Sequence, residues 1–417
     1  MIELNSIKNL DAEIIVPGSK YVANRLLIIC ALADGTSVLR NMPENDDINN
    51  AIAALSNFGV EIKKNNDELT IHGNKLISPN NEINVGDSGT LLRFITGFAS
   101  LVNGNVNITG SKRIKERPII DLLKSLNDLG VKSRSLNGEC PPVVIEGGNF
   151  KGGTTKISGE KSSQFISSLL LVAPYAQNDV EIIVETDLVS KGYVDLTIDL
   201  MKKFGVNVER QDYRQFKVKA GQKYRAMEFN VPADFSSANY FFAAAAIVPG
   251  KVKIKNLDAE LTQPEAKFVE ILESMGCKIN KNNESLELIG PSTLRGIEAD
   301  MSSMPDSVQT LAVVALFAEG TTKITNVGHL KYKESDRIND TAKELKKLNA
   351  DINVEADKLV IKKSELKPNT IDPHNDHRMA MSFALIGLKV SGIKIENPEC
   401  VNKSFPKFWD TLRNIGD

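Results

Sequence analysis

Six stretches of the chain open on small or polar residues and run on as an apolar segment of helical length: SKYVANRLLIICALADG, SGTLLRFITGFASLVNG, SSQFISSLLLVAPYAQND, SSANYFFAAAAIVPG, DSVQTLAVVALFAEG and HRMAMSFALIGLKVSG. They begin at Ser19, Ser88, Ser162, Ser236, Asp306 and His377, a period of about 70 residues that marks an internal repeat. The C-terminal halves are hydrophobic on every side, as in FFAAAAIV, which predicts helices buried inside a domain. A second pattern recurs in step. Charged, amphipathic segments such as AKELKKLN should cover the outside, and they stop at Gly59, Gly130, Gly205, Gly276, Asn349 and Gly416. Glycine, or asparagine in its place, suits the left-handed position after a helix. Strand-like runs lie between the two helices of each copy: SVLRN, NVNITG, VEIIVE, KVKIKN, TKITN and GIKIEN. Each copy therefore reads as a βαβαββ-type unit, and the fold class is α/β.

Length and charge narrow the function. At 417 residues the chain is longer than one typical core, which makes two domains the expectation. A formal net charge of -2 supplies no overall basic field and argues against nucleic acid as a partner, so any anion must be recognised locally. The N-terminus has no basic region followed by an apolar core, and no apolar run approaches the roughly 20 residues that span a bilayer. A cytoplasmic protein without a membrane partner is expected. Cys30, Cys140, Cys277 and Cys400 form no C-x-x-C pair, and the four histidines form no ligand motif, so no metal is expected. Phosphate-cradling G-x-x-x-x-G-K-[ST] and dinucleotide G-x-G-x-x-G loops are both missing from the sequence, which leaves no cofactor indicated.

The polar residues that carry chemistry gather at the starts of the buried helices. Lys20, Asn24 and Arg25 open the first, and Ser88, Gly89, Thr90 and Arg93 the second. Ser162, Ser163 and Gln164 open the third, Ser236 and Ser237 the fourth, Asp306 the fifth, and His377 and Arg378 the sixth. Helix N-termini present unpaired N–H groups and the positive end of the dipole, so they bind anions. Serines there serve as caps, the reading taken for Ser236 and Ser237. Lys20, Arg93 and Arg378 need another reason, because a cation is disfavoured at that end unless an anion compensates. Arg117, Lys191, Lys333, Arg337 and Lys403 add positive charge from the loops, while Asp306 and Glu334 stand among the cations as candidate proton-transfer groups.

Taken in order, the motifs PGSK with NR, GDSGTLLR, KERPI, SSQF, MPDS, KESDRI, DHRMAM and VNKSFP resemble the enolpyruvyl transferases, and within them the 5-enolpyruvylshikimate-3-phosphate synthase family. The resemblance covers essentially the whole chain. It implies two lobes of three units each, with buried parallel helices: lobe one from residues 1–15 and 231–417, lobe two from residues 16–230, and the active site in the cleft between them. It further implies two small-molecule partners, phosphoenolpyruvate and shikimate 3-phosphate, and a monomer. Residues matching Lys20, Gly89, Arg117, Gln164, Arg337, Arg378 and Lys403 would hold the donor. Those matching Tyr21, Arg25, Ser162, Ser163, Gln164, Ser190, Asp306, His329 and Lys333 would hold the acceptor. Lys20, Asp306 and Glu334 would move protons as the acceptor hydroxyl adds to C2 of the donor.

Four positions depart from the family's usual residues. Tyr21 stands in place of serine, Asp87 and His329 in place of asparagine, and Phe94 where proline is frequent. The acceptor therefore stays open between shikimate 3-phosphate and a related cyclic alcohol used by a paralogous transferase. A transferase acting on UDP-N-acetylglucosamine would commonly carry a cysteine near GSKRIKERP, where this chain has none. A catalytically dead anion-binding module would not need the two acids.

Overall fold

The six apolar segments form helices Lys20–Leu32, Gly89–Phe98, Gln164–Val172, Phe235–Ile247, Val308–Ala315 and His377–Gly387, and nearly all of their residues are buried. This computed structural model describes residues 1–73, 76–257, 263–282 and 285–416. The chain divides into two units, Gly18–Val231 and the pair of segments Met1–Pro17 and Pro232–Asp417, each holding three of the helices.

In the Gly18–Val231 unit the helices starting at Lys20, Gly89 and Gln164 pack on one another. Gly97 permits one of these approaches: a Cβ there would lie 2.4 Å from Ser168 Oγ, on the helix Gln164–Val172. Ser168 Oγ meanwhile donates to the Arg93 carbonyl at 2.6 Å. In the other unit the helices starting at Phe235, Val308 and His377 form the corresponding triplet, tied by a Thr310–Ser382 hydroxyl contact of 3.0 Å.

Strand pairing repeats as faithfully as the helices. Thr36–Arg40 lies parallel to Glu228–Asn230 and antiparallel to Glu68–His72, which pairs with Glu61–Asn65. The same one-parallel, two-antiparallel order is built around Gly104–Thr109, Val180–Val184, Gly250–Ile254 and Thr321–Thr325. In the sixth unit Lys394–Ile395 is parallel to Thr370–Ile371, and Ile2–Glu3 takes the antiparallel place that a later hairpin fills elsewhere. Alternation along Leu286–Ile289, buried at Leu286 and Leu288, turns one face of that strand to the core.

Two local expectations need correcting. Gly59, Gly130, Gly205, Gly276 and Asn349 do adopt positive φ, between 68° and 111°, but Gly416 does not. Gly416 is required by closeness instead, since a Cβ there would stand 2.6 Å from Ile7 Cγ2. Nor are Ser236 and Ser237 caps. Asp234 caps that helix, accepting from Ser237 N at 3.1 Å, and the serines lie inside its first turn.

Candidate active site

The starts of the buried helices gather charge into two clusters, one on each unit. In the unit containing the C-terminus, Arg337 is 1% exposed and donates in three directions. Nη1 reaches Asp306 Oδ1 at 2.6 Å, Nη2 reaches Glu334 Oε2 at 3.0 Å, and Nε and Nη2 grip the Asp376 carboxylate at 2.7 and 3.1 Å. Burial opposes this charge, but the three carboxylates outweigh it and hold the guanidinium protonated well above its ordinary range. Lys403 Nζ donates to the other Glu334 oxygen at 2.9 Å. Arg378 reaches Asp306 Oδ2 at 3.4 Å and donates to the Tyr240 hydroxyl at 2.9 Å. Asp306 and Glu334 are thus each held between two cations, with side chains 14% and 16% exposed, while the arginines behind them are almost wholly covered.

Local sequence explains this placement. Asp376 is the N-cap of the helix His377–Gly387, accepting from Arg378 N at 2.9 Å, and it also accepts from Ser335 Oγ at 3.1 Å. A capping carboxylate at the positive end of the dipole supplies the negative charge that allows Arg378 to stand in the first turn. His329 is 7% exposed, and burial, with Lys333 adding to it, pushes its pKa down to about 3. Its imidazole is therefore neutral near pH 7, and the buried Nε2 has no hydrogen-bond partner within the protein. Glu265 is fully buried, and burial, reinforced by Asp306, pushes its pKa up to about 8.

On the other unit, Lys20 Nζ is paired with the buried Asp47 at 3.3 Å. Gly89 lies directly beneath the Arg117 guanidinium, where a Cβ would stand 2.3 Å from Nη1. Gln164 Nε2 donates to Thr90 Oγ1 at 2.9 Å, which joins the starts of the second and third buried helices. Ser162 Oγ accepts from Gln164 N at 3.3 Å, Ser163 is buried at the head of that helix, and Ser190 takes a left-handed φ of 55° before Lys191–Lys203. Arg25 faces inward: Nε donates to Thr197 Oγ1 at 2.7 Å, Nη1 to the Tyr21 carbonyl at 2.8 Å, and Nη2 to the Tyr193 carbonyl at 3.0 Å. The Tyr21 ring packs on Tyr193 with centroids 5.0 Å apart. Phe94 is a core residue 5.3 Å beneath the Arg25 guanidinium, and Asp87 is exposed and bonded to Ser111. Arg93 joins its own helix to the KERPI loop, donating to the carbonyls of Gly89 and Pro118 at 2.9 Å each.

Sequence reasoning singled out Arg337, Arg378, Lys403, Asp306 and Glu334, which the structure brings together, and missed Asp376, Asp47, Tyr240 and Glu265. Asp376 carried a signal, being the acid directly ahead of the His377–Arg378 helix start. Nothing local marks Asp47 as the partner of Lys20, 27 positions earlier. Among the described residues, no group of three or more His, Cys, Asp or Glu side chains could hold a metal ion. No helix among them is long and apolar enough to cross a membrane.

Repeated α/β units whose buried helices begin in clusters of arginine, lysine and carboxylate define an enolpyruvyl transferase architecture. A solved structure of EPSP synthase from Acinetobacter baumannii superposes with a TM-score of 0.82 at 28% identity, covering 99% of this chain and 97% of that one. The family described as EPSP synthase (3-phosphoshikimate 1-carboxyvinyltransferase) matches residues 4–412, and this chain belongs to it. The 3-phosphoshikimate 1-carboxyvinyltransferase of Methanospirillum hungatei is 42% identical over 96% of this chain and 94% of its own length. That of Trichormus variabilis is 39% identical over 96% and 95%.

Proposed function

We propose that this protein transfers the enolpyruvyl group of phosphoenolpyruvate to the 5-hydroxyl of shikimate 3-phosphate, releasing phosphate, within chorismate and aromatic amino-acid biosynthesis. The observation that carries the reading is the arrangement around Arg337, where two partly exposed carboxylates, Asp306 and Glu334, share buried cations. A tight anion site without a function in acid–base chemistry would have no use for those acids.

In this reading Lys20, Arg117, Arg337, Arg378 and Lys403 neutralise the donor, with Gly89 leaving room for Arg117 and Gln164 lying against the substrates. Ser162, Ser163, Ser190 and Lys333 hold the acceptor's phosphate. The neutral His329 meets the rest of the acceptor, while Tyr21 and Arg25, packed within their own unit, shape that side of the site, and Asp306 orients the reacting hydroxyl. An incoming donor phosphate competes with Glu334 and Asp306 for the same cations, which readies both carboxylates for proton transfer. The hydroxyl gives up its proton as its oxygen bonds to C2, and C3 takes a proton to become a methyl group. The C2–O bond to phosphate then breaks while C3 returns a proton, restoring the vinyl group. Lys20, Asp306 and Glu334 handle these protons. Fixed cations stabilise the charge that develops at each stage.

Shikimate 3-phosphate is preferred over a related alcohol because the full-length relatives named above act under that name, and because the Tyr21 ring packs on Tyr193 within its own unit. We take the protein to act as a cytoplasmic monomer on these two small molecules. The test is phosphate release measured with each substrate alone and with both, in the presence of a chelator. Release only with both supports the proposal; release from phosphoenolpyruvate alone, or none with both, would reject it.

A further inference from the structure

Asp376 aims Arg337, and Asp376 ends a loop of unusual geometry. The two residues before it, His374 and Asn375, both adopt left-handed conformations, with φ of 52° and 55°. Side chains rarely tolerate this twice in succession, so surrounding contacts must impose it. Those contacts come from the amphipathic helix Asn339–Lys347. Its Glu344 side chain is fully buried, on the face turned away from solvent. Oε2 accepts from Asp372 N at 3.0 Å, and Oε1 lies 3.0 Å from His374 Nε2, which donates if it carries the ring proton. His374 N in turn donates to Asp372 Oδ1 at 2.7 Å, and Asp376 N donates to the Pro373 carbonyl at 2.8 Å.

The same helix references Arg337, which lies just ahead of its start and is locked to it by Asp340 N donating to the Asp336 carbonyl at 2.8 Å. Both members of the Arg337–Asp376 pair are therefore registered on one rigid element: Arg337 through the chain, Asp376 through the Glu344 carboxylate. We propose that Glu344 and His374 are positioning residues for the donor-phosphate clamp, holding the residue 372–376 loop so that Asp376 meets Arg337 at the right point. The proposal rests on reading Arg337 as a ligand of the donor. Neither residue touches substrate, so their effect should appear in donor affinity rather than acceptor affinity.

The test uses the full chain with His374→Ala and His374→Gln, because the glutamine amide can still donate to Glu344. His374→Ala should raise KM for phosphoenolpyruvate about tenfold, the scale of one hydrogen bond to a charged group. KM for shikimate 3-phosphate should stay within about twofold, and His374→Gln should recover most of the loss. Independently of turnover, hydrogen exchange at the Arg378 amide, which donates to Asp376, should quicken about tenfold in the alanine variant and not in the glutamine variant. Equal changes in both KM values, no rescue by glutamine, or unchanged exchange at Arg378 would each overturn the proposal. If the alanine variant fails to fold, His374→Asn, whose amide falls short of Glu344, replaces it under the same criteria. A wild type that turns over neither substrate would refute the functional reading alone, and the exchange measurement would then decide on the positioning role by itself.

Discussion

Replacing Gly89 by alanine should separate stability from donor binding. A Cβ at this position would lie 2.3 Å from Arg117 Nη1, 2.5 Å from Cζ and 2.6 Å from Nη2. Comfortable contact lies near 3.5 Å, so the guanidinium must retreat by about 1 Å. These nearest atoms are the far end of a flexible side chain, and Gly89 begins a helix without a left-handed φ. Alanine is the better helix residue by about 0.5–1 kcal/mol, so stability should hold or rise slightly. Donor affinity should fall, because a misplacement of about 1 Å can cost up to about a hundredfold and one charged hydrogen bond is worth roughly 1.5–3 kcal/mol. Steady-state kinetics with each substrate varied should show KM for phosphoenolpyruvate raised by about 10- to 100-fold and KM for shikimate 3-phosphate little changed. Thermal melting on the same samples supplies the stability arm. An unchanged donor KM would refute the reasoning, as would a loss of stability matching the loss of affinity.

Other expectations follow from the same geometry. Lys20→Ala and Glu334→Ala should each lower kcat by at least about a hundredfold, as expected for a proton-transfer group, and near-normal turnover in either would remove that residue from the role. Glu265, with its pKa raised to about 8 by burial, keeps a proton that the unfolded chain loses above about 4.5. Stability should therefore fall as pH rises from about 4.5 to 8, by at most on the order of 5 kcal/mol, and Glu265→Gln should flatten that slope in urea titrations. An unaltered slope would show that Glu265 is not the group responsible. Tyr21→Ser should destabilise the protein by about 3 kcal/mol through loss of packing on Tyr193 and bring no gain in kcat/KM for shikimate 3-phosphate. A gain would mean that the tyrosine had shifted acceptor recognition.

The repeat was legible because its two helix types leave different hydrophobic periods and because five of the six expected stop positions need a left-handed residue. Gly416 escaped that logic: its smallness serves a contact with Ile7, which only the folded chain reveals. The cations were legible as an electrostatic anomaly at helix starts and in loops, and Asp306 and Glu334 as acids among them, but the individual pairings were not. Asp47 and Asp376 meet Lys20 and Arg337 across 27 and 39 positions, a closeness created by packing rather than by spacing. Arg93, an anomalous cation at a helix start, has a guanidinium that donates to two carbonyls, contacts that only the folded chain reveals. Burial also hid the character of His329 and Glu265, whose side chains are both neutral near pH 7 in their surroundings although their sequence context suggests nothing of the kind.

In the proposed reaction this chain joins the donor's C2 to the acceptor's hydroxyl and passes a proton to and from C3. Nuclear magnetic resonance of the reaction in D2O reads both events at once. With phosphoenolpyruvate and shikimate 3-phosphate together, the spectrum should show an enolpyruvyl ether on the acceptor, one equivalent of phosphate, and deuterium appearing in the vinyl group, because the transient methyl group loses either a proton or a deuteron. Pyruvate and phosphate with the acceptor untouched, or an ether whose vinyl group carries no deuterium after many turnovers, would contradict it.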